Sequence, residues 1–132
     1  MKLLRDIAIR HLLTVDPSST LRRAAEVMSD RGVGCAVAVA NEKVAGIITE
    51  RDILHAVAQK QDVDKTTVAD VMTKEVVSGE PGWDLVKAVK TMTDGGFRHL
   101  LVMELDDPMG IVSLRDLMDS MAELVQAEPS EA

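Results

Sequence analysis

Residues 14–58 recur as residues 78–122, at a constant offset of 64 positions and without a gap. Pro17 pairs with Pro81, Leu21 with Leu85, Met28 with Met92, Asp30 with Asp94 and Gly32 with Gly96. Further on, Gly46-Ile47 pairs with Gly110-Ile111, and Arg51-Asp52 with Arg115-Asp116. Eleven of the 45 positions are identical, and most of the others exchange like for like. A repeat of this length is one supersecondary unit, too small to bury its own apolar face, so two copies are expected to pack on each other. Two equivalent polar motifs would then face each other across a pseudo-two-fold axis. That arrangement points to ligand sensing.

A chain of 132 residues fits one compact domain, or two half-domains sharing a core. The longest apolar run, Cys35 to Ala40, is far too short to cross a bilayer. The N-terminus reads Met1-Lys2-Leu3-Leu4-Arg5-Asp6, with charge arriving before any apolar stretch long enough for a signal peptide. A cytoplasmic location is the expectation. Net charge is −7 and the fifteen basic residues are scattered, which argues against a nucleic-acid or anionic-membrane surface. Trp83 and Phe97 are the aromatics, with no Tyr, so a base-stacking platform is hard to build. Any purine bound here would lie between aliphatic side chains. Cys35 is the single cysteine, which excludes an intrachain disulfide and reads as a small core residue.

Each copy reads strand, helix, strand, strand, helix. Leu12 to Val15 is a short extended segment ended by Asp16-Pro17. Thr20 and its mate Asp84 are good helix N-caps, and Leu21, Ala24, Ala25 and Met28 follow at helical spacing. Leu85, Ala88, Val89 and Met92 do the same, and Gly32 and Gly96 stop the two helices. Cys35–Ala40 and Val44–Thr49, around Asn41-Glu42-Lys43, read as a hairpin. The second hairpin is His99–Met103 and Met109–Ser113, with Asp106-Asp107-Pro108 near the turn. Helices from Arg51 to about Lys60 and from Arg115 to about Val125 close the units. Residues 61–67 read as a linker, and Val68 to Met72 as a short helical turn whose counterpart is Leu4 to Ile9. The acidic tail, residues 126–132, is expected to be disordered.

The sharpest local signal is Gly46-Ile47-Ile48-Thr49-Glu50-Arg51-Asp52, repeated as Gly110-Ile111-Val112-Ser113-Leu114-Arg115-Asp116. In both, a strand ends at a hydroxyl residue and a helix begins with an acid three positions on. Ser/Thr-x-x-Asp resembles a capping box, which explains Thr49, Asp52, Ser113 and Asp116 at about 1 kcal/mol each. Capping does not explain Arg51 and Arg115, because a cation in the first turn opposes the helix dipole. Binding explains the whole set. A helix start offers free N–H groups to an anion, hydroxyl and arginine add phosphate contacts, and the carboxylate accepts from a ribose diol. Two copies in register favour that reading.

With those residues in view, the chain resembles a pair of cystathionine-β-synthase (CBS) domains, a Bateman module, from about residue 4 to 125. Asp70-Val71-Met72-Thr73 resembles the lead-in before a second repeat. Gly96-Phe97-Arg98-His99-Leu100-Leu101-Val102 and the Gly110–Asp116 stretch resemble the family's strand and ribose-binding motifs. The resemblance implies an α/β fold of two pseudo-symmetric βαββα repeats, residues 4–60 and 68–125, and a stand-alone module with no fused enzyme, channel or transporter. It also implies a non-catalytic sensor holding an adenine nucleotide, AMP, ADP or ATP, in the cleft between repeats and signalling through their relative tilt. It leaves S-adenosylmethionine, NADH and cyclic dinucleotides open, and it names no downstream protein partner. By position Asp52 and Asp116 match the ribose-binding acid, and Thr49 and Ser113 the hydroxyl at the phosphate end. Arg98 matches a basic residue that contacts phosphate in the regulatory subunit of AMP-activated protein kinase, whereas its mate here is Gly34. The two sites are therefore expected to differ. A purely structural dimerisation or adaptor module, with the motif only capping helices, is the rival reading.

His11, His55 and His99 have no metal-ligand spacing. His99, beside Arg98, is within reach of a phosphate, while a satisfied strand-end histidine is the blander reading. No nucleophile elbow or Walker loop is present. Ile53, Leu54, Val57, Leu114, Leu117, Met118, Met121 and Leu124 coat the helices at 51–60 and 115–125 more fully than one buried face requires. That excess suggests a homodimer through those helices, as is common in CBS proteins.

Overall fold

The computed structural model of the protein describes residues 2–8 and 12–127, the last four by backbone alone. In chain order the elements are α1 (Leu4–Ile7), β1 (Thr14–Val15), α2 (Leu21–Arg31), β2 (Cys35–Ala40), β3 (Lys43–Thr49) and α3 (Glu50–Ala58). They are followed by α4 (Val68–Val71), β4 (Ser78–Gly79), α5 (Leu85–Gly95), β5 (His99–Glu104), β6 (Asp107–Ser113) and α6 (Leu114–Ala127). Every element of the first set recurs 64 positions later with the same bounds, except that α6 runs longer than α3. The repeat in sequence is a repeat in structure.

The fold is α/β, with two three-stranded mixed sheets of order β1-β2-β3 and β4-β5-β6. In each the first pair is parallel and the second antiparallel. Equivalent residues cap equivalent helices. The Arg23 N–H donates to the Thr20 hydroxyl at 3.1 Å, and the Lys87 N–H to the Asp84 carboxylate at 2.8 Å. Gly32 and Gly96 end α2 and α5 in the left-handed region, at φ of 65° and 71°. Between caps, Leu21, Ala24 and Met28 are buried at helical spacing, as are Leu85, Ala88 and Met92.

The chain divides into two compact units, and their boundary does not follow the repeat. One unit spans Leu12–Val76; the other takes the second repeat from Val77 together with α1. Leu4 is fully buried among Leu85, Ala88, Met92, Leu100 and Val112, so the lead-in helix of the first copy completes the core of the second. Reciprocally, Val68 of α4 is fully buried among Leu21, Ala24, Met28 and Ile48. Backbone bonds fix the exchange, because the unpaired N–H groups at each helix start need acceptors. Leu4 and Arg5 donate to Trp83 and Pro81 at 2.9 and 3.0 Å, and Val68 and Ala69 to Ser19 and Pro17 at 2.8 and 2.9 Å.

Several expectations shift. The hairpin tips are two-residue turns, Asn41-Glu42 and Leu105-Asp106, so Lys43, Asp107 and Pro108 lie in strands. Pro108 is tolerated because β6 is an edge strand and the ladder slips between Val102 and Met103, opposite it. Gln126 and Ala127, assigned to the tail, end α6, and residues 128–132 lie outside the described residues, as does His11. Leu117 is not part of an exposed coat: with Leu114 and Met121 it forms the stripe of α6 that packs on the core, and it is fully buried. Ile53 packs partly against the core of its own unit, whereas Leu54, Val57 and Met118 remain 68%, 54% and 61% exposed. The side chain of Leu124 lies outside the described residues.

Leu105 combines a φ of 56° with 94% exposure. An L-residue in that region is strained by about 1–2 kcal/mol, and its side chain gains nothing from packing here. Leu105→Gly is expected to raise the melting temperature by a few degrees, since about 1 kcal/mol moves a small domain by that much. An unchanged or lower melting temperature would show that the strain relieved does not exceed the unfolded-state entropy that glycine adds.

Candidate functional site

The two strand-to-helix junctions bring distant residues together in the same way. The Glu50 N–H, first in α3, donates to the carbonyl of Gly34 at 2.9 Å, and the Leu114 N–H of α6 to that of Arg98 at 2.8 Å. Antiparallel register sets Cys35 opposite Thr49 and His99 opposite Ser113. Arg98 and His99 are therefore gathered with Ser113, Arg115 and Asp116 in one repeat. Gly34 and Cys35 join Thr49, Arg51 and Asp52 in the other.

Both capping boxes form. Thr49 Oγ1 accepts from the Asp52 N–H at 3.2 Å, and Asp52 Oδ2 accepts from the Thr49 N–H at 2.8 Å. Ser113 Oγ accepts from the Asp116 N–H at 3.0 Å, and Asp116 Oδ2 from the Ser113 N–H at 2.9 Å. Each carboxylate is thus half-buried and oriented through one oxygen. Among the described residues its other oxygen accepts no hydrogen bond. The arginines behave differently from the acids. Arg51, Arg98 and Arg115 are exposed, and among the described residues the ion pairs are Lys2–Glu123 and Arg22–Asp64, neither of which engages them. Each junction therefore presents a positioned acceptor beside an exposed cation and a helix N-terminus, a set able to hydrogen-bond a diol and attract an anion.

One neighbour of the first junction lies outside the motif read from sequence. Thr73, just past α4, exchanges backbone hydrogen bonds with Ile47 at 3.0 and 2.9 Å, which places it beside the strand that ends at Thr49. A Cβ on Gly46 would lie 2.7 Å from the Thr73 carbonyl oxygen and 2.8 Å from Met72 Sδ, so only glycine admits this approach. Gly46 was the available signal. Its role as a contact point needs a partner 27 positions away, which periodicity does not supply. Ile9, the repeat mate of Thr73, lies outside the described residues.

The CBS domain family matches residues 4–59 and 68–123, and the chain belongs to that family as a tandem pair. A CBS domain-containing protein of Bacillus subtilis, YhcV, is 35% identical over 118 residues, which cover 89% of this chain and 84% of the relative. The solved structure of a CBS-domain containing protein from Agrobacterium tumefaciens is 30% identical with a TM-score of 0.86, covering 91% of this chain and 99% of that one. A CBS domain protein from Pyrobaculum aerophilum, described as complexed with AMP, is 25% identical with a TM-score of 0.83, covering 96% of this chain and 100% of that one. Among the described residues no helix is long and apolar enough to cross a membrane.

Cys35 reports on the first junction. It is 7% exposed, and burial, with a smaller contribution from the Asp52 charge, pushes its thiol up to about 12. The folded state therefore holds this proton more tightly than the unfolded chain, whose ordinary value is 9.0. The resulting stabilisation is full below that value and is lost as pH rises toward about 12. The folded protein at pH 8 is expected to resist an aromatic disulfide reagent that reacts at once in denaturant. Cys35→Ala is expected to flatten the alkaline fall in stability. Rapid labelling of the folded protein would contradict the burial.

Proposed function

We propose that this CBS pair is a non-catalytic regulatory module that binds an adenosine-type nucleotide, of the AMP, ADP or ATP class, at its strand-to-helix junctions. The observation that carries the reading is the capping box repeated at α3 and α6, whose second carboxylate oxygen accepts no hydrogen bond among the described residues, beside an arginine held by no described carboxylate. Capping alone does not require the cation, which opposes the helix dipole. The AMP complex of the Pyrobaculum aerophilum relative supports the ligand class. In this reading Asp52 and Asp116 accept from the ribose, while Thr49 and Ser113 complete the helix start. Arg51, Arg98, His99 and Arg115 face the phosphate end. Such a ligand regulates by binding one conformation more tightly than another.

Asp116→Asn separates binding from capping. The asparagine oxygen still accepts from the Ser113 N–H, but the uncommitted acceptor and the charge are lost. Charge-assisted hydrogen bonds contribute roughly 1.5–3 kcal/mol, so calorimetry is expected to show AMP affinity falling about ten- to a hundredfold. The ligand-free melting temperature should change little. A lower melting temperature with no AMP binding in either protein would leave the motif as a helix cap and nothing more.

A further inference from the structure

The two junctions share a backbone and differ in charge. Gly34, Cys35 and Glu50 in the first stand where Arg98, His99 and Leu114 stand in the second. The equivalence is structural, because the bonds from Glu50 to Gly34 and from Leu114 to Arg98, at 2.9 and 2.8 Å, hold both sets alike. Arg51 with Asp52, and Arg115 with Asp116, contribute opposite charges at both junctions. What remains is the negative charge of Glu50 at the first and the positive charge of Arg98 at the second. Both side chains are exposed, and among the described residues neither is engaged in an ion pair.

The difference acts where an anion would be held. A helix N-terminus carries a partial positive charge that falls off within one turn. Glu50, first in α3, opposes that charge toward an incoming phosphate, whereas Leu114, first in α6, leaves it intact and packs partly on the core. Arg98 then adds a guanidinium where the first junction has no side chain at all. Cys35, buried and with its thiol pushed up to about 12, stays neutral and adds no charge of either sign at the first junction.

We propose that the two junctions divide ligands by charge. The second takes a phosphorylated adenosine, the first an uncharged or cationic nucleoside, and Glu50 and Arg98 set the difference. This rests on the reading that the junctions bind nucleosides at all, and the test keeps the two apart. Adenosine and AMP are titrated by calorimetry into the parent, into Asp116→Asn to isolate the first junction, and into Asp52→Asn to isolate the second. The isolated second junction is expected to prefer AMP over adenosine by about tenfold or more at low ionic strength, with the gap closing in salt as the charges are screened. The isolated first junction is expected to bind adenosine at least as well as AMP. Adding Glu50→Leu to Asp116→Asn should raise AMP affinity about tenfold and leave adenosine unchanged, while adding Arg98→Gln to Asp52→Asn should erase the AMP preference. Melting curves identify any variant that is not folded, and the ratio of the two affinities is a readout that a purely structural role for Glu50 or Arg98 would not move. Equal AMP-to-adenosine ratios at both junctions, or ratios unmoved by these charge changes, would overturn the division while leaving nucleotide binding intact. Failure of the parent to bind either probe would overturn the binding reading, and the division with it.

Discussion

Among the described residues, four helices begin with one interaction: an aspartate three residues in accepts the N–H of the residue before the helix. The pairs are Leu3–Asp6, Thr49–Asp52, Thr67–Asp70 and Ser113–Asp116, at 2.8, 2.8, 2.9 and 2.9 Å. For α1 and α4 the bond is a condition of existence, since a four-residue helix lies far below the length at which propagation offsets nucleation. Those two helices deliver Leu4 and Val68, both fully buried, to the cores of the units they close. The Thr67 bonds hold the Asp70 carboxyl below its ordinary value, so this box is intact above the usual carboxylate range and fails only as acid protonates it. Without these starts neither unit would have its full core.

Under the proposed function, the same device serves a second end at α3 and α6. A carboxylate fixed through one oxygen has already lost its rotamer freedom, so its other oxygen can be presented to a ligand at little further entropic cost. The cap and the proposed ribose acceptor are thus one feature seen from two sides. Exposed arginines next to a helix start then make sense, although they weaken the helix slightly. Gly46 extends the logic to Thr73, whose approach to the strand is open only because a side chain is missing.

Much of this was legible in the sequence because the repeat doubles every local signal. Thr20, Asp84, Gly32 and Gly96 mark helix ends through backbone chemistry that acts within a few residues, and all four act as expected. The same holds for Thr49–Asp52 and Ser113–Asp116. What was not legible depends on distance. The offset that pairs Asp6 with Asp70 says that α1 and α4 are equivalent, but apolar spacing tells which face is buried and not against which core. Leu117 illustrates the limit: on a helix as apolar as α6, spacing alone does not separate the stripe containing Leu117 from the face carrying exposed Met118. At the second hairpin, Asp106-Asp107-Pro108 drew the turn by composition, whereas strand register placed it one residue earlier, on Leu105.

The central claim is that the capping boxes of α3 and α6 are the binding sites. An amide nitrogen–proton correlation spectrum recorded during titration with AMP tests it most directly. The account predicts that the largest shifts fall on Arg98, His99 and Ser113 to Asp116, with a response at Thr49 to Asp52 if the first junction also fills. Shifts centred on any other surface, with both sets of amides unmoved at saturation, would contradict it.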